Sequence, residues 1–244
     1  MIIDLCADLV KTRDYGRYIT VFFAPRRLRN FLWVLYALNC ELAHIRHMVA
    51  RENMMGLIRL QWWRDAIAEL YDGQILNHHV LHGLATLKDQ KEFWQRDDFN
   101  HLIDLYEEDF RHDKADKDAM LGRHVQQNKV LLEMALKLYD RAVAPEIINM
   151  VALRHTQAKY ILQNEWLPNH LPIFTAHAEH DLQSVPRHAI RGLAPLLLVD
   201  IARYDFSLIR KAGYKQPDII PETYRSLMAF YLWRKNILFN IKYL

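Results

Sequence analysis

Gly56-Leu-Ile-Arg-Leu-Gln-Trp-Trp-Arg-Asp65-Ala-Ile-Ala-Glu-Leu-Tyr71 reads as a helix from its spacing alone. Leu57, Leu60, Trp63, Ile67 and Leu70 recur at steps of three or four and share one side, while Arg64, Asp65 and Glu69 fall on the other. Asp72-Gly73 follows at once, and glycine is the residue best suited to the left-handed conformation that stops a helix. Upstream, Phe31, Val34, Leu35, Leu38, Leu42 and Ile45 repeat the same spacing between Arg29 and His47, which predicts a core helix.

The pattern extends along the chain. Helical spacing covers Phe99 to Phe110, Asn128 to Ala142, Glu146 to Asn164, His188 to Ala212 and Glu222 to Ile241. Pro145, Pro186 and Pro221 precede or open three of these segments, where a missing N–H costs nothing. Pro168-Asn-His-Leu-Pro172 is too proline-rich to be helical throughout and reads as a loop or break, and His112 to Asp118 as a polar connection. With seven glycines, eight prolines and no alternating strand pattern bounded by turn pairs, the fold class is all-α. A length of 244 residues with 51% hydrophobic content predicts one domain, residues 1–244, with a sizeable core.

Composition removes several classes of function. Apolar residues come in short groups, never in the run of about eighteen that a membrane span requires. Met1 to Thr20 contains Asp4, Asp8 and Asp14 and has neither a secretory signal nor a transit pattern, so a cytoplasmic chain is expected. Cys6 and Cys40 are too few for a disulfide framework and read as buried or half-buried thiols. The formal charge of +3 lacks the basic block that nucleic acid demands, but fits mild adhesion to anionic lipid at the periphery of a membrane. There is no nucleophile elbow, phosphate-cradling glycine loop or dinucleotide fingerprint.

Three sets of residues invite a chemical reading. His44 with His47, His78 and His79 with His82, and His177 with His180 are spaced for one helix face, but none forms the three or four converging ligands that zinc needs. Asp104-Leu-Tyr-Glu-Glu-Asp109 is the richest carboxylate stretch, and Asp104 and Glu108 lie one turn apart, as a hydrated Mg²⁺ would require. The plainer reading is a solvated helix face. Trp62-Trp63 and the tail residues Tyr224, Phe230, Tyr231, Trp233 and Phe239 suit an apolar pocket or an interface, and equally suit ordinary core packing.

Phe22-Phe-Ala-Pro25, Leu35-Tyr-Ala-Leu38, Gly56 to Asp65, Glu69-Leu-Tyr-Asp-Gly73 and Arg210-Lys-Ala-Gly-Tyr214 stand in the order seen in the squalene/phytoene synthase family, which the chain resembles over most of its length. The resemblance implies an isoprenoid (terpenoid) synthase-like helical bundle around a central cavity. In active members that cavity receives two prenyl diphosphates, joined head to head with Mg²⁺ held by two aspartate-rich motifs. The chemistry needs clustered carboxylates, because the metal ions must neutralise the diphosphate leaving group.

At the place of the first motif the chain has Asn39-Cys-Glu-Leu-Ala-His-Ile-Arg-His47, where Ala43, His44 and His47 take the aspartate positions and only Glu41 is acidic. At the place of the second, Gln163 and Asn164 replace Arg and Asp, and loop residues up to Pro172 replace the later Asp. Retained helices with lost aspartates resemble a branch of the family whose members serve respiratory complex I assembly without prenyl transfer.

The expectation is therefore a pseudoenzyme with no catalytic residues and no cofactor. It would act by binding respiratory-chain subunits or assembly proteins, or an isoprenoid or lipid ligand, from the cytoplasm or the inner-membrane periphery. On the motif alone, Arg59, Gln61, Trp62, Arg64 and Asp65 are the expected ligand-binding residues. The alternative is an active prenyl diphosphate transferase whose Mg²⁺ is held by Glu41, Asp104, Glu107, Glu108 and Asp109.

Overall fold

The structure is a computed structural model that describes residues 2–49, 52–90, 93–112, 116–163, 166–214 and 221–241, with the backbone alone at 89, 221–222 and 235–241. Helices account for the regular structure, and no strand occurs among the described residues. They gather into two compact units, residues 1–142 and 143–244.

The first unit is built on α3 (Arg26–Val49), which packs against α1 (Ile2–Arg13), α2 (Tyr15–Val21), α4 (Asn53–Tyr71), α5 (His79–Gln90), α6 (Arg96–Arg111) and α7 (Lys117–Leu136). Its middle, Phe31 to Cys40, is buried on every side, as expected of a helix that is apolar all round. Spacing alone showed one face of this helix; the neighbours cover the rest. Leu32, Leu35 and Leu38 are fully buried, each worth about 2 kcal/mol in transfer terms. Both cysteines are buried, and burial pushes the Cys6 thiol up to about 11, which makes it inert.

α4 buries Leu60, Trp63, Ile67 and Leu70 as the spacing predicts. The Gln74 N–H bonds the Glu69 carbonyl at 2.8 Å and Gly73 takes φ 90°, so the predicted glycine stop is present. Near its start, Gly56 lies flat against α6. A Cβ there would sit 2.1 Å from Cε1 of Phe110, so only glycine admits this approach.

Helix α7 departs from expectation: it begins eleven residues before Asn128 and ends six before Ala142. The Asp116 carboxylate caps its start, accepting from the N–H groups of Asp118 and Ala119 at 3.1 and 3.0 Å. Leu138 is buried past the helix end, which carried the apolar spacing too far. Helices α1, α2 and α5 lie outside the patterns legible by spacing.

The second unit contains α8 (Pro145–Leu162), α9 (Leu171–Ser184), α10 (Arg187–Ile190), a 3₁₀ turn (Ala194–Leu197), α11 (Leu198–Lys211) and α12 (Pro221–Ile241). Pro145 opens α8, Pro186 precedes α10 and Pro221 opens α12, as read. The expected helix from His188 to Ala212 is broken, because Gly192 adopts φ 76° and Pro195 cannot continue an α-helical hydrogen-bond ladder. The predicted break before Pro172 is present, and α9 starts directly after it. α11 is the centre of this unit, packing on α8, α9 and α12.

Candidate functional site

The carboxylate-rich stretch lies on α6, and its neighbours decide what it can do. Asp104 and Glu107 face α4, where Nη2 of Arg64 donates to Asp104 Oδ1 at 2.8 Å and to Glu107 Oε1 at 2.7 Å. Arg111 reaches back one turn to Glu107 at 2.7 Å, and His112 lies 2.7 Å from Glu108. Burial lowers the Arg64 pKa, but bonds from Glu107 and Asp104 outweigh it and leave the pKa raised. This strip is an ion-pair lattice between two helices.

Asp109 points to the other side of α6, toward α7, and is buried. It accepts from Nε of Arg123 at 3.1 Å and from Nε2 of Gln127 at 2.7 Å, with His124 at 3.1 Å. Burial alone would raise this carboxyl; the His124 bond and charge, with Gln127 and Arg123, bring it below the ordinary value. Glu41 is elsewhere, on α3, 3.4 Å from Arg13. Glu41, the strip of Asp104, Glu107 and Glu108, and Asp109 are therefore engaged by different cations. Among the described residues, no three His, Cys, Asp or Glu side chains are placed to hold one ion.

The five residues expected at a ligand share α4 but not a face. Successive α-helical residues turn by about 100°, so Arg59, Gln61, Trp62, Arg64 and Asp65 spread over well more than half the helix circumference. Arg64 turns inward to α6, Gln61 donates to Asp65 at 2.7 Å, Arg59 is exposed, and Trp62 stands edge-on to Trp63 and His78.

At the position of the first aspartate motif, Asn39 is buried and its Oδ1 accepts from the Tyr106 hydroxyl at 2.8 Å. Ala43 and His44 are half-buried, and His47 is exposed. Burial holds the His44 imidazole below its ordinary value, with Arg13 in support and Glu41 in opposition. A methyl group and two imidazoles do not fit Mg²⁺, which takes carboxylate and water oxygens. At the second motif, Gln163 is the exposed C-cap of α8, and Asn164 lies outside the described residues.

A second polar cluster was not legible by spacing. Arg17 is buried on α2, donating to Asp14 at 2.5 Å and to Asn128 on α7 at 2.6 Å, with Tyr36 beneath its guanidinium. Burial pushes the Tyr36 and Tyr106 hydroxyls upward, so both stay neutral donors. An apolar cleft between α3, α4, α5 and α6, lined by Phe31, Ile67, Leu84, Leu87, Trp94 and Phe99, has about 20 Å³ of free volume. That admits about one water, far less than a prenyl chain.

In the second unit, Asp200 is bound by Arg187 at 2.8 Å and by Arg203 at 2.8 Å, and Arg154 holds Asp181. Asp205 differs: it is buried and the Tyr224 hydroxyl donates to it at 2.6 Å, while burial drives it up to about 7 against that bond and the Lys159 charge. Of the tail aromatics, Tyr231 lies beside Tyr204 with the two rings tilted at 41°, whereas Phe230 and Trp233 are exposed against each other; the side chain of Phe239 is outside the described residues.

By class, this is an all-α protein of the isoprenoid synthase-like fold, in which Glu107, Asp109 and Asp200 are each held by arginines. The chain belongs to the squalene/phytoene synthase family, whose model matches residues 10–152. It is similar to "NADH dehydrogenase (ubiquinone) complex I, assembly factor 6" of Homo sapiens, 33% identical over 66 residues, which is 27% of this chain and 20% of the relative. The Bos taurus protein of that name is 35% identical over 66 residues, again 27% and 20% of the two chains. The aligned stretch thus spans about a fifth of the length of these curated relatives. No solved structure matches the chain at a significant level.

Proposed function

We propose that this chain acts by binding, in the assembly of respiratory complex I, and does not transfer prenyl groups. The observation that carries the proposal is the replacement at the first aspartate motif: Ala43, His44 and His47 stand where the family resemblance puts metal-binding carboxylates. The engagement of Asp104, Glu107 and Asp109 by Arg64 and Arg123 supports it, because recruiting them to a metal would strand the half-buried guanidinium groups of those two residues. The name printed for its relatives supplies the assembly half of the reading. Its partners are then respiratory-chain subunits or other assembly proteins, and it requires no cofactor.

Incubating the full chain with farnesyl or geranylgeranyl diphosphate and Mg²⁺ tests the catalytic half. Unchanged substrate is expected; a C30 or C40 product would establish the Mg-dependent prenyltransferase alternative instead. Deleting the gene in the source organism tests the other half. Assembled complex I should fall and return on complementation, and an unchanged amount would sink the assembly role.

A further inference from the structure

Helix α4 is apolar on two opposite sides, and only one is covered. Leu60, Trp63, Ile67 and Leu70 face the core, while Met54, Ile58 and Trp62 follow one another at i, i+4 and i+8 along the outward face, with Met55 beside them. Met54 and Ile58 are 69% and 56% exposed, so they stand out as a ridge and not as the lining of a groove. Met48, also exposed, lies in the last turn of α3, where Arg46 bonds Asn53 at the start of α4 at 3.4 Å.

The charges around this ridge are graded. Arg59 is exposed between Ile58 and Trp62 in sequence, and Arg46, half-buried over the Phe110 ring, lies one half-turn before Met48. Glu52, the N-cap residue, is the acidic group at this end, and the other outward carboxylates, Asp65, Glu69 and Asp72, begin only after Trp62. Asp65 is already engaged by Gln61. The first half of α4 therefore combines apolar side chains, an excess of cations and the positive end of a helix dipole. A protein partner would need a groove shaped to this ridge, whereas a bilayer receives a projecting apolar ridge without one. No helix among the described residues is long and apolar enough to cross a membrane, so the contact is one of surface insertion.

We propose that the outward face of α4 docks on an anionic lipid bilayer, with Met54, Ile58 and Trp62 entering the headgroup–acyl boundary and Arg59 meeting lipid phosphates. This does not rest on the assembly reading, since lipid partition is measured with no complex I component present. The test is flotation of the full chain with vesicles of phosphatidylcholine alone and of phosphatidylcholine with phosphatidylglycerol.

Wild type should float with the anionic vesicles. Ile58→Asp should reduce partition about tenfold or more, and Arg59→Glu by about fivefold. Leu167→Asp, which places the same charge on another exposed apolar residue, should leave it near wild type. Circular dichroism melts confirm that all three variants fold. Equal loss in Ile58→Asp and Leu167→Asp, or no flotation of wild type, overturns the proposal. Ile58→Asp that floats normally but breaks a dimer in sedimentation also overturns it, and assigns the ridge to a second copy of this chain.

Discussion

Asp109 and Asp205 are both buried aspartates, one in each unit, yet their protons behave in opposite ways. Burial acts on both in the same direction. Asp109 meets Arg123, His124 and Gln127, enough donors to hold the ionised form below its ordinary pKa. Asp205 has the Tyr224 hydroxyl and the more remote Lys159 charge, and stays half-protonated near pH 7. The difference teaches that the donors gathered at a carboxylate, more than the depth of burial, decide its charge.

The largest expected effect comes from removing the charge at Asp205. Its folded pKa, about 7, exceeds the unfolded value near 3.9, so its bound proton stabilises the fold at low pH, and that contribution is lost as pH rises through about 7. Asp205→Asn cannot ionise. Its unfolding free energy in urea should therefore gain on wild type by about 3 kcal/mol between about pH 5 and pH 8. A gap that does not change with pH would remove the contrast.

Asp109→Ala should lower stability at neutral pH by about 2–3 kcal/mol, because Arg123 and His124 lose a buried counter-charge. Asp109 follows the opposite pH rule: its contribution is present above the unfolded carboxylate value and lost as pH falls through its lower folded one. The variant should consequently converge with wild type in acid, which an acid titration of the melting temperature reads directly.

Tyr224→Phe sharpens the comparison at smaller scale. It should cost about 1 kcal/mol above pH 7 and move the Asp205 transition upward, since the lost bond favours the ionised form. Arg64→Ala should cost less than about 1 kcal/mol and more at low salt than at high, because Asp104 is mostly exposed and Arg111 remains on Glu107. A loss equal to that of Asp109→Ala would mean the α4–α6 strip is as dry as the α6–α7 contact.

The sequence disclosed most where apolar spacing and stop signals agree. Leu60, Trp63, Ile67 and Leu70 are buried and Gly73 ends α4, so that helix was legible almost to the residue. The start of α7 was not, because Lys117 to Gln127 is held by a capping aspartate and by polar groups turned toward Asp109, neither of which has an apolar period. The same gap hid the partners of Asp109. The acidic stretch itself was visible, but whether it faces water, a metal or arginines depends on Arg64, 40 residues away in sequence from Asp104. The pair Asp205 and Tyr224 spans 19 residues and matches no motif; only the packing of α12 on α11 brings it together.

One bond sets an order of events. Asn128, the side-chain acceptor for Nη2 of Arg17, lies 111 residues further along the chain. Asp14 can pair with Arg17 as soon as α2 forms, but on a ribosome adding about 5–20 residues each second the second acceptor appears many seconds later. Until then the guanidinium has half of its final acceptors, so water must remain at the place where α2 meets α3. Closure of the first unit is thereby timed to the arrival of α7, and a nascent chain that ends before it should remain open there and susceptible to proteolysis.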